Sequence, residues 1–183
     1  MNQLAQIRAA KDAFFAHDPH SPLSREQKKT FKGLSYFPEA PELRLETTVE
    51  PFPELVEIQM QTSTGDVQVY RRFGKIHFTV DGQEQSLTIY AGQDDYFLPF
   101  VDSLAGKETY PAGRYLEPEP LDDNGTFLVD FNMAYNPYCA YNENWSCPLT
   151  PFENRLKAPI RAGEKLPEGE WVEHGGLADP GAG

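Results

Sequence analysis

Ile76-His-Phe-Thr-Val-Asp-Gly-Gln-Glu-Gln-Ser-Leu-Thr-Ile89 is the stretch that decides the fold. Ile76, Phe78 and Val80 alternate with polar residues, Asp81-Gly82 follows, and Leu87 and Ile89 resume the alternation. A period of two puts apolar side chains on one face of an extended chain, and Asp-Gly suits the positive φ angles of a tight hairpin turn. The stretch predicts an antiparallel hairpin with one buried face. His77 falls on the opposite face and is expected to meet solvent.

Similar short runs surround the hairpin. Residues 43–50, 55–61 and 67–72 alternate or nearly alternate before it, with bends expected at Thr64-Gly65-Asp66 and Phe73-Gly74. Residues 95–101, 113–116 and 126–132 read as further strands. About six to twelve residues separate the runs, too few for the crossover helices of a parallel sheet. Before them, Leu4, Ile7, Ala10, Lys11, Phe14 and Phe15 recur at helical spacing and predict an amphipathic helix over 3–16. Ser24-Arg-Glu-Gln27 resembles a capping box that opens a second helix through Phe31, and Thr150-Pro-Phe-Glu153 resembles another, opening a turn or two through Leu156. The expected fold class is mainly β within α+β. It is an antiparallel β-sandwich or barrel-like sheet with two short N-terminal helices packed on it. One globular domain over 1–165 is expected, followed by a Gly/Pro-rich tail over 166–183.

Composition narrows the partners. A chain of 183 residues with 39% hydrophobic and 24% charged residues can bury one complete core. A net charge of −12 and a pI near 4.7 repel phosphates and anionic membrane surfaces, so neither nucleic acid nor membrane is an expected partner. The N-terminal stretch carries no apolar signal core, and no run approaches the roughly twenty apolar residues that span a bilayer, so a cytoplasmic location is expected. In that compartment the two cysteines, spaced C-x7-C, are free thiols. The four histidines, at 17, 20, 77 and 174, have no ligand-like spacing, so no metal and no cofactor is expected. The sequence does not specify an oligomeric state.

Candidate chemistry concentrates in the run Asp130-Phe-Asn-Met-Ala-Tyr-Asn-Pro-Tyr-Cys-Ala-Tyr-Asn-Glu-Asn-Trp-Ser-Cys147. It holds five aromatics, both cysteines and four of the seven asparagines of the chain. That mixture describes a packed, polar-lined loop. Residues 76–154 carry thirteen acidic groups against two basic ones, Lys107 and Arg114. Arg114 therefore either forms an ion pair with Asp102, Glu108 or Asp130, the commoner fate of such a residue, or anchors an anionic ligand group. Asp130 and Asn132 lie on one side of an extended chain and either hold polar ligand atoms or cap the following turn. Tyr135 and its neighbours would wall a pocket. For catalysis, Asp130 and Glu108 are the candidate bases and Cys139 the candidate nucleophile, although a buried thiol is more often inert packing.

Gly33-Leu-Ser-Tyr-Phe-Pro38, Pro99-Phe100, Gly106-Lys-Glu-Thr-Tyr110, Gly113-Arg-Tyr-Leu116, Asp130 through Tyr141, Cys147-Pro148, Glu153-Asn154 and Ala162-Gly-Glu-Lys165 together resemble the prokaryotic family called domain of unknown function 1684. The resemblance spans approximately residues 5–165. It implies that Glu108, Thr109, Tyr110, Gly113, Arg114, Asp130, Asn132, Tyr135, Asn136, Pro137, Cys139 and Asn154 occupy signature positions, and it implies no activity. The expected function is binding of a small polar organic ligand with an anionic group by Arg114, Tyr110, Asp130, Asn132, Tyr135, Asn136 and Asn154. Acid–base or hydrolytic chemistry is left open. The alternative is a structural or protein-interaction module whose signature residues stabilise the fold.

Overall fold

A computed structural model describes residues 2–169 and 171. Two antiparallel sheets face each other as a sandwich, and neither closes into a barrel. The larger contains β2 (Glu50–Pro51), β3 (Glu57–Gln61), β4 (Val67–Val80), β5 (Gln83–Ala91), β6 (Tyr96–Phe100) and β7 (Arg114–Leu116), in the order β2-β4-β5-β6-β7 with β3 also paired to β4. The smaller contains β1 (Arg44–Thr48), β8 (Glu119–Pro120) and β9 (Thr126–Asp130), in the order β1-β9-β8. Ile76, Phe78, Ile89, Leu98 and Phe100 of the larger sheet meet Phe127, Val129 and the adjoining Phe131 in one apolar cluster. The rings of Phe78 and Phe100 each stand 5.3 Å from that of Phe131.

The hairpin forms as the alternation requires. Val80 pairs with Gln83 across Asp81 (φ 50°) and Gly82 (φ 76°), both positive as a type I′ turn demands. His77 is exposed, with Nε2 3.0 Å from a Glu50 carboxylate oxygen. The bend expected at Phe73-Gly74 does not interrupt the strand: β4 continues through it with a bulge-like register shift between Arg72 and Gly74. The glycine serves close approach: a Cβ there would lie 2.5 Å from Val49 Cγ1 and 2.7 Å from the Glu50 carbonyl oxygen. Gly74→Ala is accordingly expected to cost about 1–3 kcal/mol in urea unfolding, as β2 is pushed away.

Helix α1 (Gln3–His17) begins with the Asn2 side chain accepting the Ala5 N–H, and α2 (Arg25–Thr30) begins with the Ser24–Gln27 capping box in both directions. Helix α1 meets the body through Phe15, buried with Tyr110, Ala112, Ala140 and Tyr141, and α2 through Gln27, whose Nε2 donates to the Tyr141 carbonyl at 2.8 Å. The second expected capping box is absent. The Thr150 hydroxyl donates to the Ala112 carbonyl and Glu153 pairs with Arg72 and Tyr90, leaving a single 3₁₀ turn, Phe152–Asn154. Tertiary partners win over the local cap.

After that turn the chain threads back through the structure without forming a regular element. Leu156 N–H donates to Val101 O, Glu164 N–H to Ala134 O, and Lys165 N–H to Ser35 O. Of the expected tail, Leu166 donates to the Glu108 carbonyl and Trp171 packs 5.6 Å from the Tyr110 ring. Residues 170 and 172–183 lie outside the described residues.

Candidate functional site

Arg114 opens β7, and its side chain is 1% exposed. Its guanidinium donates to the carbonyls of Ile160 (2.8 Å), Ala162 and Glu164 (3.0 Å), three alternate residues of the returning segment. Asp102 Oδ2 stands 3.7 Å away and itself accepts the Ile160 N–H at 2.8 Å, while Asp102 Oδ1 accepts the Thr109 hydroxyl at 2.7 Å. Burial pulls the guanidinium down to about 10, with Asp102 and Glu164 holding it up, so it is cationic at neutral pH. The planar fork is committed to main-chain acceptors inside the protein.

Asn154 is fully buried. Its amide receives the Thr88 N–H and donates to the Thr88 and Pro99 carbonyls, each at 2.8–2.9 Å. β5 and β6 pair only at Tyr90–Phe97 and Ala91–Tyr96. Where the strands separate, the amide takes the place of the missing strand partner, and Pro99 has no N–H to offer. Asn132 works similarly, exchanging two hydrogen bonds with Ala40 N–H and C=O while its own N–H reaches Asp130 Oδ1. Asn136 N–H donates to Glu164 Oε1 and its Nδ2 to the Lys165 carbonyl. Tyr110 is fully buried among Phe15, Ala112, Ala140 and Tyr141.

Asp130 and Tyr135 lie elsewhere. Both line a cleft of about 280 Å³ together with Lys11, Glu117, Glu119 and Met133. Asp130 caps the 3₁₀ turn that ends β9, receiving both N–H and Nδ2 of Asn132, and faces Arg44 at 3.8 Å. Tyr135 donates its hydroxyl to Glu117 at 2.9 Å and presents its ring to the Lys11 ammonium, 4.9 Å from the centroid. Burial, aided by Glu117, pushes the Tyr135 phenol up, so it acts as a neutral donor. Lys11 reaches the cleft wall because it pairs with Glu164, whose other oxygen receives Asn136 N–H and the Tyr141 hydroxyl. Sequence reasoning did not assign Lys11, Glu117, Glu119, Met133 or Glu164. A lysine inside the apolar stripe of α1 was the available signal for the first of them.

The three catalytic candidates have separate surroundings. Asp130 borders the cleft, Glu108 is half-buried and faces Arg161 at 3.8 Å, and Cys139 is buried beside Cys147. Among the described residues, no group of three or more His, Cys, Asp or Glu could hold a metal ion, and no helix is long and apolar enough to cross a membrane.

The chain is 35% identical to an uncharacterized protein from Haloarcula marismortui with a solution NMR structure. The match covers 89% of this chain and 92% of that one, with a TM-score of 0.68. No curated protein matches. The family model that matches residues 29–165 is described as "Protein of unknown function (DUF1684)", and with three quarters of the sequence and both candidate segments inside that match, the chain belongs to this family.

Proposed function

We propose that the chain binds a small, positively charged or hydroxyl-rich organic molecule in the cleft between α1, β8 and β9. The observation that carries this reading is the lining. Three carboxylates, of Glu117, Glu119 and Asp130, share about 280 Å³ with one ammonium, Lys11, which is already paired to Glu164. Such a lining attracts an amine or a set of hydroxyls. The Met133 side chain, 42% exposed, adds an apolar wall. An anionic ligand group fits less well, because the guanidinium expected to anchor it is occupied by backbone carbonyls.

A thermal-shift screen of amines and polyols on the wild type and on Glu117→Gln tests the reading. A ligand at the cleft raises Tm by several degrees at concentrations well above its Kd, and Glu117→Gln raises the Kd about tenfold, so that the same shift needs about ten times more ligand. Hits indifferent to the substitution would remove the cleft from its role.

A second reading, a structural or protein-interaction module, is favoured by a different observation. Five of the seven candidate ligand residues, Tyr110, Arg114, Asn132, Asn136 and Asn154, are buried. Four of those five bond to main-chain groups of the protein. Their burial and main-chain partners support a role in holding the fold together.

A further inference from the structure

Cys139 lies in the 3₁₀ turn Tyr138–Ala140, and the loop of residues 142–146 doubles back to deliver Cys147 beside it. The Cys139 amide N–H donates to Cys147 Sγ at 3.3 Å, and both residues pack in one buried cluster. Cys147 is further fixed by Ser63, whose hydroxyl accepts its N–H at 3.2 Å and whose own N–H donates to its carbonyl at 2.9 Å. Tyr90, Phe97, Tyr115 and Met60 complete an apolar wall on the inner side, while residues 143–146 of the loop are exposed on the outer side. The arrangement is asymmetric. Cys147 sulfur accepts the Cys139 N–H, a contact that favours a thiolate there.

We propose that the pair is a peroxide-oxidisable dithiol, with Cys147 as the attacking sulfur and Cys139 as the resolving one. In the first step the Cys147 thiolate attacks a hydroperoxide. An S–O bond forms, the O–O bond breaks, and the departing oxygen leaves as water or alcohol once protonated, giving a sulfenic acid. In the second step Cys139 sulfur attacks the sulfenic sulfur. The S–S bond forms, the S–O bond breaks, and water leaves with the Cys139 proton. Two thiols lose two electrons and the hydroperoxide gains them. The electrostatics agree with this division of roles: the Cys139 thiol, with the Cys139 and Tyr138 N–H groups, holds Cys147 below the ordinary thiol range, whereas the bond to Cys147 and burial hold Cys139 above it. Closing the bridge pins the exposed loop to the aromatic cluster and so marks the oxidised state on the surface.

The full reduced chain, treated with one equivalent of hydrogen peroxide at neutral pH, is expected to lose about two mass units and to yield a Cys139–Cys147 cross-link in non-reducing peptide maps. Cys139→Ser is expected to stop at a Cys147 sulfenic acid captured by dimedone, and Cys147→Ser to react at least about tenfold more slowly. Brief labelling of the wild type with substoichiometric iodoacetamide needs no variant, and it should modify Cys147 about tenfold ahead of Cys139. Three results would overturn the proposal: oxygen addition in place of the cross-link, preferential labelling of Cys139, or oxidation of Cys147→Ser at the wild-type rate.

Discussion

Arg114→Met unfolds at a urea concentration well below that of the wild type, with a loss of about 3–5 kcal/mol. The substitution removes the buried cation that three carbonyls and one carboxylate surround, and none of these groups can turn to solvent. Ile160 and Ala162 are fully buried, Glu164 is 2% exposed and Asp102 5% exposed. Their oxygens lose a partner while remaining inside, which is the expensive way to break a polar contact. A drop in Tm of roughly 10 °C accompanies the loss. Arg114→Lys recovers little of it, because a single ammonium cannot span carbonyls spaced along three alternate residues. A loss below about 1 kcal/mol in Arg114→Met would show that the returning segment rehydrates and that the clamp is dispensable.

Asn154→Ala is expected to cost about 3 kcal/mol, from one N–H and two carbonyls left unpaired in a fully buried position. Hydrogen exchange locates the damage: the Thr88 amide, 2.9 Å from Asn154 Oδ1 in the native chain, should lose protection before the amides that bond β4 to β5 do. Equal loss at both places would assign Asn154 to global stability and not to the junction of β5 and β6. Asn154→Asp keeps the acceptor for Thr88 N–H but turns a carboxylate oxygen towards two carbonyls. It should be at least as damaging at neutral pH.

Much of the architecture is legible in local patterns, because local patterns are what set it. The hairpin turn needs two positive φ angles and Asp81-Gly82 supplies them. The N-terminal helix forms where the spacing of Leu4 to Phe15 predicts it, but of that stripe only Phe15 is buried and Ile7 is exposed. Gly74 misleads because a glycine in a strand signals a bend or a close neighbour equally well, and only the path of β2 decides between them. The candidate site illustrates a second limit. Arg114, Asn132 and Asn154 are conspicuous by residue type, but their partners are backbone atoms of Ile160, Ala40 and Thr88, which any side chain would present equally. Composition therefore points to these residues without saying whether their hydrogen bonds end in a ligand or in the protein. The thiol pair is hidden for a related reason: a C-x7-C spacing fixes no loop path, and the return of Cys147 depends on Ser63, which lies more than eighty residues away.

The clamp around Arg114 also sets an order of events. Its acceptors lie 46 to 50 residues downstream of the guanidinium, and the Asp102 contact to Ile160 spans 58. During synthesis at about 5–20 residues per second, the strands of both sheets emerge first, and they leave a cation and a carboxylate waiting at the position the returning segment will fill. The native state becomes accessible only after residues 160–164 clear the ribosome. A nascent chain stalled before that point is expected to leave exposed the part of the core that Ile160 and Ala162 cover, and so to aggregate more readily than the full chain.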